Sequence, residues 1–444
     1  MTTHAELLEH DRALLHPLHH PSAHQQPFIF ESGHGVWMRT TDGKEVIDGL
    51  AGLWNVLVGH GRTELANAAQ EQMSTLAYCS SYVGSSNIPA IELANRLAGY
   101  AYPSLNTTFF TSGGAESNES AFKTVRHYWK RMGKPNKVKV IARSYAYHGI
   151  TLAAMSATGL STYWPMFEPR VPNFLHIDSP YPYRFASEIK PGETQGQAAA
   201  RQLEEAILRE GQDTVGAFIA EPVQGAGGVI PPQDDYFPRI REICDQYEVL
   251  FIADEVITGF GRTGDMFALN RWGVEPDIMS FAKGVTSGYL PLGGIQISDE
   301  IREAIMNAPA NERWMHAYTY SGHPTCCAVA LANIDILENE KLAENAGTMG
   351  QRLIDGLNNL ADEFQVIGNV RGLGLMSAIE FVADRETKAP AGIGEKVRQA
   401  CVNRGLFTRV VGDSLVFAPP LVINSDEIDQ IVQIVGESIA EVSA

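Results

Sequence analysis

The chain has 444 residues, 44% hydrophobic and 19% charged, an ordinary balance for a globular enzyme of two or three domains. Its formal net charge of −18 repels nucleic acid and anionic membranes, so neither is expected as a partner and an anionic ligand must be held by local groups. Five cysteines without a CxxC pair (Cys79, Cys244, Cys326, Cys327 and Cys401) exclude a disulfide framework and a zinc site; with no basic-then-apolar leader and no 18-residue apolar run, a cytoplasmic protein is expected.

The first residues are rich in histidine: His4, His10, His16, His19, His20 and His24. Without accompanying cysteines or an HxxxH pair on an apolar helix face they read as an arm over the body of the protein, with no metal. Residues 28–50 alternate in short pieces, Phe28-Ile29-Phe30 and Val36-Trp37-Met38, around a turn at Thr41-Asp42-Gly43-Lys44. Six strands are then predicted at Thr107–Thr111, Lys137–Ala142, Val215–Ala220, Val249–Ala253, Ile278–Phe281 and Gly293–Ile297. Several are apolar throughout, as strands buried on both faces must be. Helical spacing separates them: Ala121, Val125, Tyr128 and Met132, then Phe237, Ile240, Cys244 and Tyr247. Such alternation predicts a mostly parallel sheet with helices on both faces and ligand-binding groups where strands end. Lys190–Gln197 reads as a surface loop, residues 364–423 as further short strands around Leu375–Val382 and Leu415–Phe417, and Ile428, Ile431, Val432, Val435 and Ile439 as a closing helix. The expected organisation is an N-terminal arm and part of a smaller α+β domain over 1–59, a large domain over 60–325, and the rest of the small domain over 326–444.

Lys283 follows the apolar run Ile278–Phe281, where desolvation lowers a lysine pKa and leaves a nucleophilic amine. Alone it also fits a lysine that snorkels to water. Asp254 closes the preceding strand, and a lysine and a carboxylate closing neighbouring strands can hold an aromatic cation between them, as pyridoxal phosphate requires. Thr111-Ser112-Gly113-Gly114-Ala115-Glu116 leads from strand to helix, the form of a phosphate cradle or of a plain turn. Tyr147, in Tyr147-His148-Gly149, follows a strand and is either a stacking ring or a half-buried loop aromatic, while His148 reads as structural. Gly259-Phe260-Gly261-Arg262-Thr263-Gly264 matches GxGxxG but leaves no room for the helix a dinucleotide fingerprint opens, so nicotinamide or flavin binding is not expected. Arg409 fits a carboxylate clamp or a surface ion pair equally.

Together these residues resemble the class III (ω-) aminotransferases of the pyridoxal-phosphate type I fold, from about Gly35 to Val422. Further anchors are Ala51-Gly52-Leu53-Trp54, Glu221-Pro222-Val223-Gln224-Gly225 and Thr319-Tyr320-Ser321-Gly322-His323-Pro324. The resemblance implies that Lys283 forms the Schiff base with pyridoxal 5′-phosphate and that Asp254 partners its ring nitrogen. It implies that Tyr147 and Val256 sandwich the ring, that Gly113, Gly114 and Ala115 cradle the phosphate, and that Glu221 belongs to the cofactor site. Thr319 is implied to reach the phosphate of a neighbouring subunit, making a homodimer, or a dimer of dimers, the catalytic unit; Trp54, Tyr147, Ala226 and Arg409 are implied to line the substrate pocket.

Two departures matter. Ala115 stands where relatives often carry a hydroxyl on the phosphate, a loss on the order of 1 kcal/mol. Ala226 stands where ornithine and γ-aminobutyrate relatives place a glutamate that pairs with the substrate-binding arginine, which leaves Arg409 free to bind or swing away. This looks like the amine and ω-amino-acid:pyruvate subgroup: a primary amine or ω-amino acid gives up its amino group, and pyruvate leaves as alanine. Decarboxylation, racemisation or an amino shift on the same fold is the alternative, and nucleotide-dependent oxidation a further one.

Overall fold

The computed structural model describes residues 2–18, 20, 27–82 and 84–443; His19 and His24 of the histidine-rich segment lie outside them. Near the N-terminus β1 (Phe30–His34), β2 (Trp37–Thr40) and β3 (Glu45–Asp48) form an antiparallel meander. Of Phe28-Ile29-Phe30 only Phe30 joins a strand; Phe28 instead packs its ring on Phe30 and Phe407.

The large sheet consists of β4 (Leu105–Thr111), β5 (Lys139–Arg143), β6 (Phe174–Ile177), β7 (Val215–Ala220), β8 (Leu250–Asp254), β9 (Ile278–Phe281) and β10 (Gly293–Ser298). Their spatial order is β4-β10-β9-β8-β7-β5-β6. Every residue of β7, β8 and β9 is buried, because helices cover both faces and leave no side on which a polar residue meets water. The helix Gly114–Arg131 buries Ala121, Phe122, Val125, Tyr128 and Trp129, whereas Met132 lies past its end and is 42% exposed. The helix Tyr236–Gln246 buries Phe237, Ile240 and Cys244 on the same principle. One strand breaks the parallel pattern: β10 runs antiparallel to both β4 and β9. Gly294 fits the close pairing with β9, since a Cβ there would stand 2.5 Å from the Phe281 ring across it.

The C-terminal region provides β11 (Ile367–Gly372), β12 (Ser377–Asp384), β13 (Ala389–Pro390), β14 (Leu406–Phe407), β15 (Arg409–Val411) and β16 (Ser414–Phe417). β14 pairs with β3, so both chain ends meet in one sheet, while β11-β12-β16-β15 form another. Two expectations change. Residues 364–423 contain a helix, Gly394–Asn403, with Val397, Ala400 and Cys401 on its buried face. The expected loop Lys190–Gln197 ends inside the helix Gln195–Glu210, whose start is fixed by a capping box between Thr194 and Gln197.

Candidate active site

Four parallel strands end at one place. β7 runs into Glu221, β8 ends on Asp254, β9 leads to Lys283, and β5 leads to Tyr147 and His148. With Gly114, Ala115 and Asn118 from the first turns of the helix after β4, these residues line a cavity of about 180 Å³, as Val256 and Ile257 also do. It lies outside the carboxyl ends of the strands, where open α/β sheets bind ligands.

Asp254 is 3% exposed and heavily restrained. Its Oδ2 accepts from His148 Nδ1 at 2.8 Å and from Asn118 Nδ2 at 2.8 Å, and its Oδ1 accepts from the Val256 amide at 3.1 Å. An ionised carboxylate offers about four acceptor sites, so one on Oδ1 is left for a cationic N–H. Asn118 also donates to the His148 carbonyl at 2.8 Å, locking the Tyr147-His148-Gly149 turn to the helix.

Lys283 adopts φ 43°, a left-handed conformation costing on the order of 1–3 kcal/mol and tolerated where the surroundings impose it. Burial pushes its amine down to about 8, with Asp254 and Glu221 pulling the other way and Arg409 adding to the depression. Glu221 is pushed up to about 7, mainly by burial, although His148 and Arg143 oppose this. It accepts the Tyr147 amide and the Gly225 amide, each at 3.3 Å.

The helix Gly114–Arg131 begins without a side-chain cap. Its first-turn amides, which have no intrahelical acceptor, are thus not taken up by a side chain either, and Gly114 and Ala115 line the cavity at the positive end of the dipole. A Cβ at position 114 would lie 2.8 Å from Val256 Cγ1, so glycine is what lets the helix start approach the opposite wall. Carboxylate, amine and anion cradle around one cavity match the ring nitrogen, aldehyde and phosphate of pyridoxal phosphate. The residues present fit that group.

The structure thus brings Gly114, Ala115, Tyr147, Glu221, Asp254, Val256 and Lys283 together. Gly113 is the N-cap of the cradle helix. Trp54 is 2% exposed and shares an apolar cluster with Ile257, Val223 and Met376. Ala226 sits in the loop after Glu221, and Arg409 begins β15, close enough that its charge is felt at Lys283 and Tyr147. Thr319 is not at this chain's own cavity: it lies exposed, its carbonyl accepting from the Tyr78 hydroxyl at 2.7 Å. Asn118, Ile257 and the contact of His148 with Asp254 are not among the features expected from the sequence. Asn118 was within reach, being one helical turn beyond Gly114 and so on the same face.

The fold and this donor set define a pyridoxal-phosphate-dependent aminotransferase. The chain belongs to the class-III aminotransferases, whose family model matches residues 19–439, and it uses pyridoxal 5′-phosphate. It is 41% identical to the putrescine–pyruvate aminotransferase of Pseudomonas aeruginosa over 420 residues, covering 94% of this chain and 91% of the relative. The crystal structure of an (S)-enantioselective omega-transaminase from Thermomicrobium roseum superposes with a TM-score of 0.95 at 46% identity, covering 100% of both chains. The omega transaminase of Pseudomonas jessenii in complex with PMP superposes with a TM-score of 0.95 at 39% identity, covering 98% of both.

Proposed function

We propose that this aminotransferase moves an amino group from a primary amine or ω-amino acid, of the diamine, β-alanine-like or arylalkylamine kind, to pyruvate. The observation that carries the reading is Lys283 and Asp254 facing one cavity beside an uncapped helix start. The name of the 41% identical relative supports pyruvate as acceptor. Ala226 agrees with it, since no carboxylate stands there to occupy Arg409.

When bound, pyridoxal phosphate supplies an aldehyde that takes up the amino group and a ring that spreads the charge left when the neighbouring carbon loses a proton. In our reading Lys283 Nζ would take that proton and return it to the carbon that carried the aldehyde oxygen, a task suited to an amine whose pKa burial has brought to about 8. Asp254 holds a proton on the ring nitrogen, and His148 and Asn118 aim the carboxylate for that purpose. The amides of Gly114 and Ala115, with Gly113 at the turn, hold the phosphate. Tyr147 and Val256 flank the ring, and Glu221 fixes the Tyr147 backbone. Trp54 and Tyr147 form apolar walls for the donor, while Arg409 binds the acceptor's carboxylate with a two-pronged hydrogen bond.

We further propose a homodimer in which Thr319 serves the neighbouring subunit's phosphate, consistent with its exposed position. The division into a large domain over 60–325 and a small one from both ends, and a cytoplasmic location, belong to the same proposal. No helix among the described residues is long and apolar enough to cross a membrane. The test is a panel of amine donors with pyruvate fixed as acceptor. Alanine must form in step with donor consumption; donor turnover without alanine, or with carbon dioxide instead, overturns the reading.

A further inference from the structure

A single buried guanidinium joins two pieces of the substrate pocket that come from distant parts of the chain. Arg371 lies in β11 with its side chain 7% exposed. All five of its N–H groups are used. Nη1 donates to Glu380 Oε2 at 2.9 Å and Asn369 Oδ1 at 3.1 Å, and Nη2 donates to the Gly228 carbonyl at 2.7 Å and Ser414 Oγ at 3.0 Å. Nε is shared between the carbonyls of Val229 at 2.8 Å and Gly228 at 3.1 Å. The guanidinium also covers the Tyr181 ring, 4.9 Å from its centroid. Glu380 is held in turn by the Tyr181 hydroxyl and by Arg184 Nε at 2.5 Å.

The two ends of this bridge matter. The Gly228 and Val229 carbonyls belong to the loop that contains Ala226. That loop is tight: the Gly228 and Val229 amides both return to the Gly225 carbonyl, at 3.0 and 3.1 Å, and Val229 has φ 54°. It presses on the cofactor cavity, because a Cβ at Gly225 would stand 2.8 Å from Ile257 Cδ1. Ser414 opens β16 and pairs with Val411 in the ladder that sets Arg409 opposite Val416. The same planar fork therefore grips the backbone beside Ala226 and the hairpin that carries Arg409. Only an arginine does this: a lysine has three donors on one point and cannot span both.

We infer that Arg371 is a positioning residue that sets the spacing between the Ala226 loop and the Arg409 strand, and thereby the grip on the acceptor's carboxylate. This rests on the reading in which Arg409 binds that carboxylate. Arg371 does not line the cofactor cavity; it acts through the two segments it clamps. A misplacement of about 1 Å in such a clamp is enough to cost one to two orders of magnitude.

The test uses the holoenzyme and its Arg371→Lys, Ser414→Ala and Arg409→Ala variants. In Arg371→Lys the KM for pyruvate rises about tenfold while the KM for the amine donor stays within about twofold, because only the carboxylate clamp is displaced. The Kd of propanoate, a carboxylate that cannot react, read from its effect on the cofactor's visible absorption, rises by a similar factor. Ser414→Ala removes one contact and shifts both values the same way by about two- to threefold, and it decides the matter if Arg371→Lys does not fold. A lowered Tm with both ratios at wild-type values, or equal weakening of donor and acceptor, overturns the inference. If Arg409→Ala raises the pyruvate KM and Arg371→Lys does not, only the positioning role falls. If Arg409→Ala leaves that KM unchanged, the role of Arg409 falls and this inference falls with it.

Discussion

Replacing Asp254 with asparagine removes one charge while keeping shape. The two donors on Oδ2, His148 Nδ1 and Asn118 Nδ2, both at 2.8 Å, require an oxygen at that position. The asparagine carbonyl must therefore face them, which puts its NH2 where Oδ1 stood. There it meets the Val256 amide, which donates across 3.1 Å, and would face the protonated ring nitrogen that Asp254 is proposed to hold. Donor then opposes donor. Losing a charge-assisted hydrogen bond costs ~1.5–3 kcal/mol, and leaving a buried donor unpaired costs ~1–3 kcal/mol. Part of each is felt in the transition state, where the ring carries the most charge, giving roughly 3–4 kcal/mol, or two to three orders of magnitude in kcat. The assay is pyruvate-dependent alanine formation, with circular dichroism and the visible absorption of bound cofactor as controls for fold and loading. A kcat within about fivefold of wild type, with cofactor bound, would refute the role given to this carboxylate.

Lys283→Ala is expected to abolish turnover while pyridoxal phosphate still stabilises the fold through the helix start and Asp254; near-normal turnover sinks the role of the lysine. The depressed amine predicts a pH profile: labelling of cofactor-free protein by pyridoxal phosphate should rise as pH climbs to about 8 and then level off, whereas a rise continuing into the ordinary lysine range would show an unperturbed amine. The linkage has the same origin. The unfolded lysine binds its proton up to a higher pH than the folded one, so below about 8 the buried charge weighs against the fold in full, and stability rises with pH from about 8 until the unfolded lysine also loses its proton, as denaturation midpoints at several pH values will show. Trp54→Ala empties a site that is 2% exposed in the cluster containing Ile257, so Tm should fall with a loss of ~3–5 kcal/mol while kcat/KM shifts towards bulkier amines; an unchanged donor ranking would remove Trp54 from the pocket wall.

Much of the site was readable in one dimension because its signals are local. β7, β8 and β9 are short apolar runs buried on both faces, and Asp254 and Lys283 stand where the last two of them stop. Gly113 and Gly114 mark a helix start without needing a partner to be known. Periodicity reports which faces meet water, and it does so residue by residue. What it does not encode is which strand lies beside which. The antiparallel placing of β10 between β4 and β9 is a matter of pairing between distant segments, and the position of Asn118 beside Asp254 depends on a helix and a strand packed together. The helix Gly394–Asn403 has few apolar residues to mark it among the strands around it, and its burial is decided by the sheet strands it packs on. Arg371 carries no local mark at all; its meaning comes from Gly228, Glu380 and Ser414 converging on one guanidinium. The amino-acid order by itself determined the strands of the large sheet and the chemistry at their ends. Only the packed chain decided the neighbours that restrain those groups, because contacts between residues far apart in sequence form only once the elements are docked.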